Sequence, residues 1–183
     1  MEPVSDRHPV NQQEIRLEPL ESRDFSLIRP WIDPRVFRMF REPVDDTQLA
    51  RLLTKYEDGR PTSLGFRIAR SSDSEIIGLI HATIVWQNNL AHIGQIIVGD
   101  PRLRGLGIGT ASLVQMLRIC FDQIGLHRVQ LFVDEDNLSA IACYKKVGFR
   151  VEGLMRDATK VDDGYVSWYS MAILEEEWKA YRY

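Results

Sequence analysis

Apolar residues recur along this chain on two different periods, and the change from one to the other divides it. In the first half the pattern is mostly that of strands. Residues 15–20, IRLEPL, alternate apolar and polar side chains as a half-buried strand does. Further strands are predicted over 64–70, 75–86 and 90–98, separated by the turn clusters SSDS and QNN. Two helices interrupt them. Asp24 stands where a cap would open a helix carrying Phe25, Leu27, Ile28 and Trp31. Leu49, Leu52, Leu53 and Tyr56 predict a second helix from about Asp46 to Glu57.

After residue 98 helices and strands alternate. Leu113, Met116, Leu117, Cys120, Phe121 and Ile124 form a stripe at helical spacing, and Gly125 is a stop signal. A strand over 128–133 and a short helix over 137–147 follow, the helix closed by Gly148. Residues 165–174 alternate as a last strand before the acidic and aromatic segment EEEWKAYRY, and that alternation sends one of Trp168 and Tyr169 toward the core. Strands first and βαβ units later predict an α/β protein, with a mixed sheet carrying helices on its faces. Residues 1–13 read as a loose polar tail and 14–183 as one domain.

Composition narrows the classes. Of 183 residues 44% are hydrophobic and 27% charged, so the chain can build a core without disulfides or a structural metal. The net charge of −3 offers no overall field for a nucleic-acid backbone. Cys120 and Cys143 have no CxxC spacing and read as buried free thiols. His8, His81, His92 and His127 are scattered without metal-ligand spacing, so no metal is expected. Neither a signal-peptide pattern nor a membrane-spanning apolar run is present, and the expectation is a cytoplasmic protein without a membrane partner.

The sharpest local feature is Arg104-Gly105-Leu106-Gly107-Ile108-Gly109, between an apolar strand and an amphipathic helix. Glycines let successive backbone N–H groups converge, and the following helix aims its positive end at the same spot. Arg102 and Arg104 add charge at the rim. Thr110 follows Gly109, which breaks the dinucleotide fingerprint, and no lysine completes a Walker loop. A plain glycine-rich turn is the other reading.

A second motif lies at residues 133–149, VDEDNLSAIACYKKVGF, with Asn137 and Tyr144 two helical turns apart. Taken alone, Asn137 reads equally as a helix cap and Tyr144 as an ordinary packed aromatic. Together and in this order the two motifs resemble the GNAT family of acyl-CoA-dependent N-acyltransferases. The family's [QR]xxGx[GA] is matched by Arg104, Gly107 and Gly109, and its NxxAxxxYxxxGF by Asn137, Ala140, Tyr144, Gly148 and Phe149. GLHRV (125–129) and FRVEGLMRDA (149–158) further resemble the branch of RimJ/RimL-like and bacterial diamine acetyltransferases.

The resemblance implies a mostly antiparallel sheet whose fourth and fifth strands splay to admit acyl-CoA. It implies that Ile96, Ile97 and Val98 pair with the pantetheine arm. Backbone amides from Arg104, Gly105, Leu106, Gly107, Ile108 and Gly109 would hold the pyrophosphate. Asn137 would touch the pantetheine or a nearby water, and Tyr144 would reach the thioester sulfur and protonate the departing thiolate. The implied reaction is acetyl transfer from acetyl-CoA to a primary amine, either a protein N-terminus or a polyamine or other small molecule. Two other readings stand beside it: a non-catalytic acyl-CoA-binding module, and an enzyme using a different acyl donor.

Many relatives carry a glutamate on the fourth strand; here AHIG places His92 there, a possible base or simply an exposed strand histidine. Phe132 stands where the ribosomal-alanine branch has its fifth-strand glutamate, and a water chain is the alternative to any dedicated base. Asp45, Asp46, Glu57, Asp58, Asp162 and Asp163 are either an acidic rim favouring a cationic amine or ordinary surface carboxylates. Glu152, Arg156 and Tyr165 recur in the branch pattern, in structural or substrate roles. Trp178, Tyr181 and Tyr183 serve either a homodimer interface or the domain itself.

Overall fold

The computed structural model describes residues 14–32, 44–161 and 164–181. The 1–13 tail, His8, Asp162, Asp163 and Tyr183 lie outside them. In chain order the elements are β1 (Ile15–Pro19), α1 (Phe25–Ile28), α2 (Asp46–Leu49), β2 (Lys55–Glu57), β3 (Arg60–Arg70), β4 (Ile76–Val85) and β5 (Leu90–Val98). Then follow α3 (Ile108–Leu117), β6 (Arg128–Asp134), α4 (Leu138–Lys146), β7 (Arg150–Val161), β8 (Gly164–Leu174) and α5 (Glu175–Tyr181).

One eight-stranded sheet organises them, in the order β1-β3-β4-β5-β6-β8-β7 with β2 added to β3. Every neighbouring pair is antiparallel except β5 and β6. A parallel pair needs a crossover, and α3 supplies it. Helices cover both faces. On one, Ile108, Leu113, Met116 and Leu117 of α3 pack with Ile80, Ala82, Ile93 and Leu131. On the other, Phe25, Ile28 and Leu49 of α1 and α2 pack with Leu79 and Ile97. The expected α/β fold with a mixed, mostly antiparallel sheet is therefore the one observed.

The elements depart from expectation where local signals compete. Asp24 stands at the N-terminal cap position of α1, but its side chain makes no capping bond there. Glu21 is the cap of the turn before it, and the Asp24 carboxylate reaches back to accept from the Glu21 N–H at 2.9 Å. Asp24 also accepts from Arg67 of β3 at 3.0 Å, and Arg67 bonds Glu18 of β1, so one guanidinium ties three segments. The second predicted helix stops at the 3₁₀ turn Ala50–Leu52. Residues beyond it form β2, because Asp58 and Gly59 take φ of 49° and 74° and close a two-residue hairpin. Tyr56 consequently points to solvent, 68% exposed. Close packing of that 3₁₀ turn also leaves Gly65 no room for a side chain, since a Cβ there would meet the Leu52 carbonyl oxygen at 1.6 Å.

β7 was invisible in the pattern because its first eight residues are exposed on both faces, so no apolar alternation marks it. α3 runs on through a π-helical turn, Arg118–Gln123, burying Cys120 and Phe121. Cys143 is only half-buried. Trp178 of α5 packs within its own domain: it is buried, stacks on Phe121 and donates Nε1–H to Asp122 at 3.1 Å. Trp178 also stacks on Tyr181.

Candidate active site

The site begins with one extra residue in β5. His81 pairs with Gln95 and Ala82 with Ile93, which leaves Gly94 unpaired as a bulge. A bulge bends its strand and sharpens the local twist. Beyond it, β5 leaves β6. The parallel pairing runs from Leu90–Arg128 to Ile93–Leu131 and ends there, although β5 continues to Val98 and β6 to Asp134.

Hydrogen-bonding alternation decides which backbone groups face that opening. The Gly99 N–H donates to the Ile77 carbonyl at 2.9 Å, so in this antiparallel register Ile97 directs its N–H and C=O to Leu79 of β4. Ile96 and Val98 therefore turn theirs toward the gap. The Val98 oxygen accepts weakly from Arg104 Nε at 3.4 Å. The Ile97 side chain is buried beneath α1 and α2, whereas Ile96 and Val98 are half-buried against the α3 side.

The glycine-rich turn closes one end of the gap. Gly105 and Gly107 have φ of 78° and 91°, where an L-residue is strained, and Gly107 is the N-terminal cap of α3. No side chain caps this helix, and its first internal bond is Ala111 N–H to the Gly107 carbonyl. The N–H groups of Ile108, Gly109 and Thr110 thus stand at the positive end of α3. Arg104 and Gly105 are exposed and Leu106 is half-buried. The two arginines divide. Asp100 binds Arg102 at 2.7 Å, which raises the Arg102 pKa and lowers that of Asp100, so the expected pair of rim cations reduces to Arg104.

α4 docks against α3 through Thr110 Oγ1 and Cys143 Sγ, 3.2 Å apart. Asn137 is not on the helix body. It is the cap of α4, its Oδ1 accepting from the Ala140 N–H at 3.2 Å. Tyr144 packs beside Phe149, ring centres 6.0 Å apart, and burial pushes its hydroxyl pKa up. Burial likewise raises Cys143, and Cys120 to about 12.

The opposite face of the sheet carries a different set. Direct pairing places Lys55, Ser63, Thr83, His92 and Gln130 in one row across β2, β3, β4, β5 and β6. His92 is half-buried, and desolvation lowers its pKa below the ordinary imidazole value. Its ring lies 5.0 Å from that of Phe132, which stacks in turn on Trp168 of β8 at 6.0 Å. One strand inward, His81 Nε2 meets Ser63 Oγ at 2.9 Å, and burial pushes this imidazole down to about 4.

The acidic rim does not assemble as a uniform surface. Asp45 caps α2, accepting from the Gln48 N–H at 2.7 Å, and Asp46 pairs with Arg29. Glu57 lines a cavity of about 430 Å³ together with Arg51 and Lys55, and Asp58 sits in the hairpin turn. Glu152 is ion-paired with Arg128, Arg156 is exposed on β7, and Tyr165 is 62% exposed. Thr83, Gln95, Gln130 and the placement of Trp168 beside Phe132 escaped the sequence reading. Only the register of five strands brings them together. Among the described residues no three His, Cys, Asp or Glu gather as a metal site, and no helix is long and apolar enough to cross a membrane.

A sheet opened between its one parallel pair, with a helix start at one end of the opening, is the architecture of the acyl-CoA N-acetyltransferase class. The chain belongs to the acetyltransferase (GNAT) family, whose model matches residues 23–149. It is 26% identical over 170 residues to the spermidine N(1)-acetyltransferase of Escherichia coli K12, covering 91% of this chain and 89% of that protein. A stretch of 89 residues is 42% identical to the mycothiol acetyltransferase of Paenarthrobacter aurescens, 46% of this chain but only 27% of that protein's length. Among solved structures, the spermidine N-acetyltransferase of Vibrio cholerae in complex with CoA and spermine superposes with a TM-score of 0.77. It is 24% identical, and the match covers 91% of this chain and 98% of that one.

Proposed function

We propose that the protein transfers an acetyl group from acetyl-CoA to a primary amine. The observation that carries this reading is the opening beyond Ile93 and Leu131, toward which Ile96 and Val98 turn their backbone groups. Those groups would pair with the amides of the pantetheine arm as an added strand would. Amides from the Gly105–Gly109 turn and the first turn of α3, with the Arg104 guanidinium, would hold the pyrophosphate, the Arg104 N–H being given to the Pro101 carbonyl at 3.2 Å. Asn137, already committed through Oδ1 to the cap of α4, retains its amide N–H₂ for the pantetheine.

The amine must attack as the free base. An alkylammonium has a pKa near 10, so a base within reach helps at neutral pH. His92 is a candidate, because desolvation holds its imidazole neutral. Attack on the thioester carbonyl forms the C–N bond and breaks C–S, and the proton leaving nitrogen goes to the base. The thiolate receives its proton from Tyr144. Burial keeps that hydroxyl protonated at rest, and the same dry surroundings raise the proton affinity of the departing sulfur. The similarity to spermidine acetyltransferases brings polyamines into the acceptor panel, and the mycothiol relatives support an amine acceptor of some other kind.

Release of free thiol from acetyl-CoA, followed against a panel of amines and N-terminal peptides, tests the reading. Amine-dependent thiol release with a mass increase of one acetyl group on the acceptor is expected. Tight acetyl-CoA binding with no release across the panel would overturn catalysis and leave an acyl-CoA-binding module.

A further inference from the structure

The face of the sheet away from α3 and Tyr144 carries an aromatic wall at the mouth of the opening. Phe132 follows Leu131, the last β6 residue paired to β5, and is 38% exposed. Trp168 stacks on it with an interplanar angle of 21°, and the His92 ring abuts its other side at 47°. Three neighbouring strands, β5, β6 and β8, each contribute one ring. Backbone pairing holds all three in place before any ligand arrives.

We infer that Phe132 and Trp168 form the acceptor wall, selecting a primary amine borne on an apolar or aromatic carbon frame over a polyammonium. This deepens the transfer reading above and rests on it. An apolar frame lying on the two rings would exclude water, and an ammonium over a ring face gains from the ring quadrupole. A polyammonium needs something else, a carboxylate for each distant charge. The described residues around the wall do not supply such a set. The row Lys55, Ser63, Thr83, His92 and Gln130 is without an acid. Glu152 is held by Arg128, and Glu57 shares its cavity with Arg51 and Lys55. Asp134, the one acid on this face of β6, has partners of its own. His92 is biased to the neutral form, so it neither repels a cation nor demands an anion.

Steady-state kinetics with 2-phenylethylamine and spermidine test the wall. Wild type should prefer 2-phenylethylamine by at least tenfold in kcat/KM. Phe132→Ala and Trp168→Ala should each raise its KM tenfold or more. Both should leave the affinity for CoA within twofold by calorimetry and cost spermidine turnover less than they cost that of 2-phenylethylamine. Trp168→Phe, which keeps a ring, should restore most of the loss. A wild-type preference for spermidine, or equal losses on both amines, overturns the wall. If no amine releases thiol, the transfer reading itself fails, and binding still decides the wall. Quenching of tryptophan fluorescence by 2-phenylethylamine in the CoA-loaded protein supports it if Trp168→Phe abolishes the quenching, and no quenching in wild type overturns it.

Discussion

His92 and Phe132 face each other diagonally across β5 and β6: His92 pairs with Gln130, and the Phe132 ring, two residues on, stands 5.0 Å from the imidazole. The aromatic neighbour is part of what withholds water from His92. That desolvation disfavours the charged ring and lowers its pKa.

The sign of the pH dependence follows. A base with a lowered pKa works above that value and fails as pH falls through it. The acid limb of kcat/KM for a chosen amine should therefore lie below the ordinary imidazole value of 6.5. His92→Ala should remove this limb and lower kcat/KM at neutral pH by about 10²-fold. An unshifted profile in that variant would dismiss His92 as the base and favour a water chain.

Gly109 separates binding from stability. A Cβ there meets only the Ile96 Cγ2, at an ordinary 3.9 Å, and the position lies in the first turn of α3. Gly109→Ala should thus hold the melting temperature or raise stability by up to about 1 kcal/mol. If the pyrophosphate rests on this turn, the new methyl group obstructs it, and CoA affinity should fall at least tenfold. Calorimetric titration beside a thermal melt reads both quantities, and wild-type affinity would remove the turn from the proposed cradle.

Tyr144→Phe deletes one oxygen and leaves the ring against Phe149. We expect kcat to drop by about 10²-fold or more, with the affinity for acetyl-CoA changed only a few-fold. Single-turnover measurement of thiol release distinguishes this from slow product loss. Unchanged turnover would refute its assignment as the proton donor.

His81 makes folding itself pH-dependent. Its imidazole sits near 4 in the folded chain because burial penalises the charged ring, against about 6.5 when unfolded. Between these values the unfolded chain binds more protons, so stability rises with pH across that window and is lost as pH falls through it. The loss amounts to roughly 3 kcal/mol between neutral pH and pH 4. Denaturant midpoints at pH 7.5 and pH 5 should differ in wild type and nearly coincide in His81→Phe. Parallel loss in both proteins would place the acid sensitivity elsewhere.

Much of the candidate site was legible because its chemistry is local. A glycine-rich turn before an amphipathic stripe, and a tyrosine seven residues beyond an asparagine, are each carried by one short segment. Elements were legible where one face is buried, as in β4, β5, β6 and α3. β7 was not, since a strand exposed on both faces has no apolar period to read. The second helix was overextended because the stripe through Tyr56 ignored the Asp58–Gly59 turn signal. The double duty of Asp100 on Arg102 likewise depends on a turn conformation rather than on spacing.

The sequence by itself determined the family, the sheet class and the glycine-rich turn before α3, because these rest on contiguous residues and on backbone geometry that glycine permits. The tertiary structure alone decided which rings meet on the face of the sheet away from α3. His92, Phe132 and Trp168 belong to three strands whose register, set by the β5–β6 and β6–β8 pairings, places their rings together. A one-residue slip in any of those strands would turn its ring to the other face, and no pattern within a single strand specifies what the neighbouring strand sets beside it.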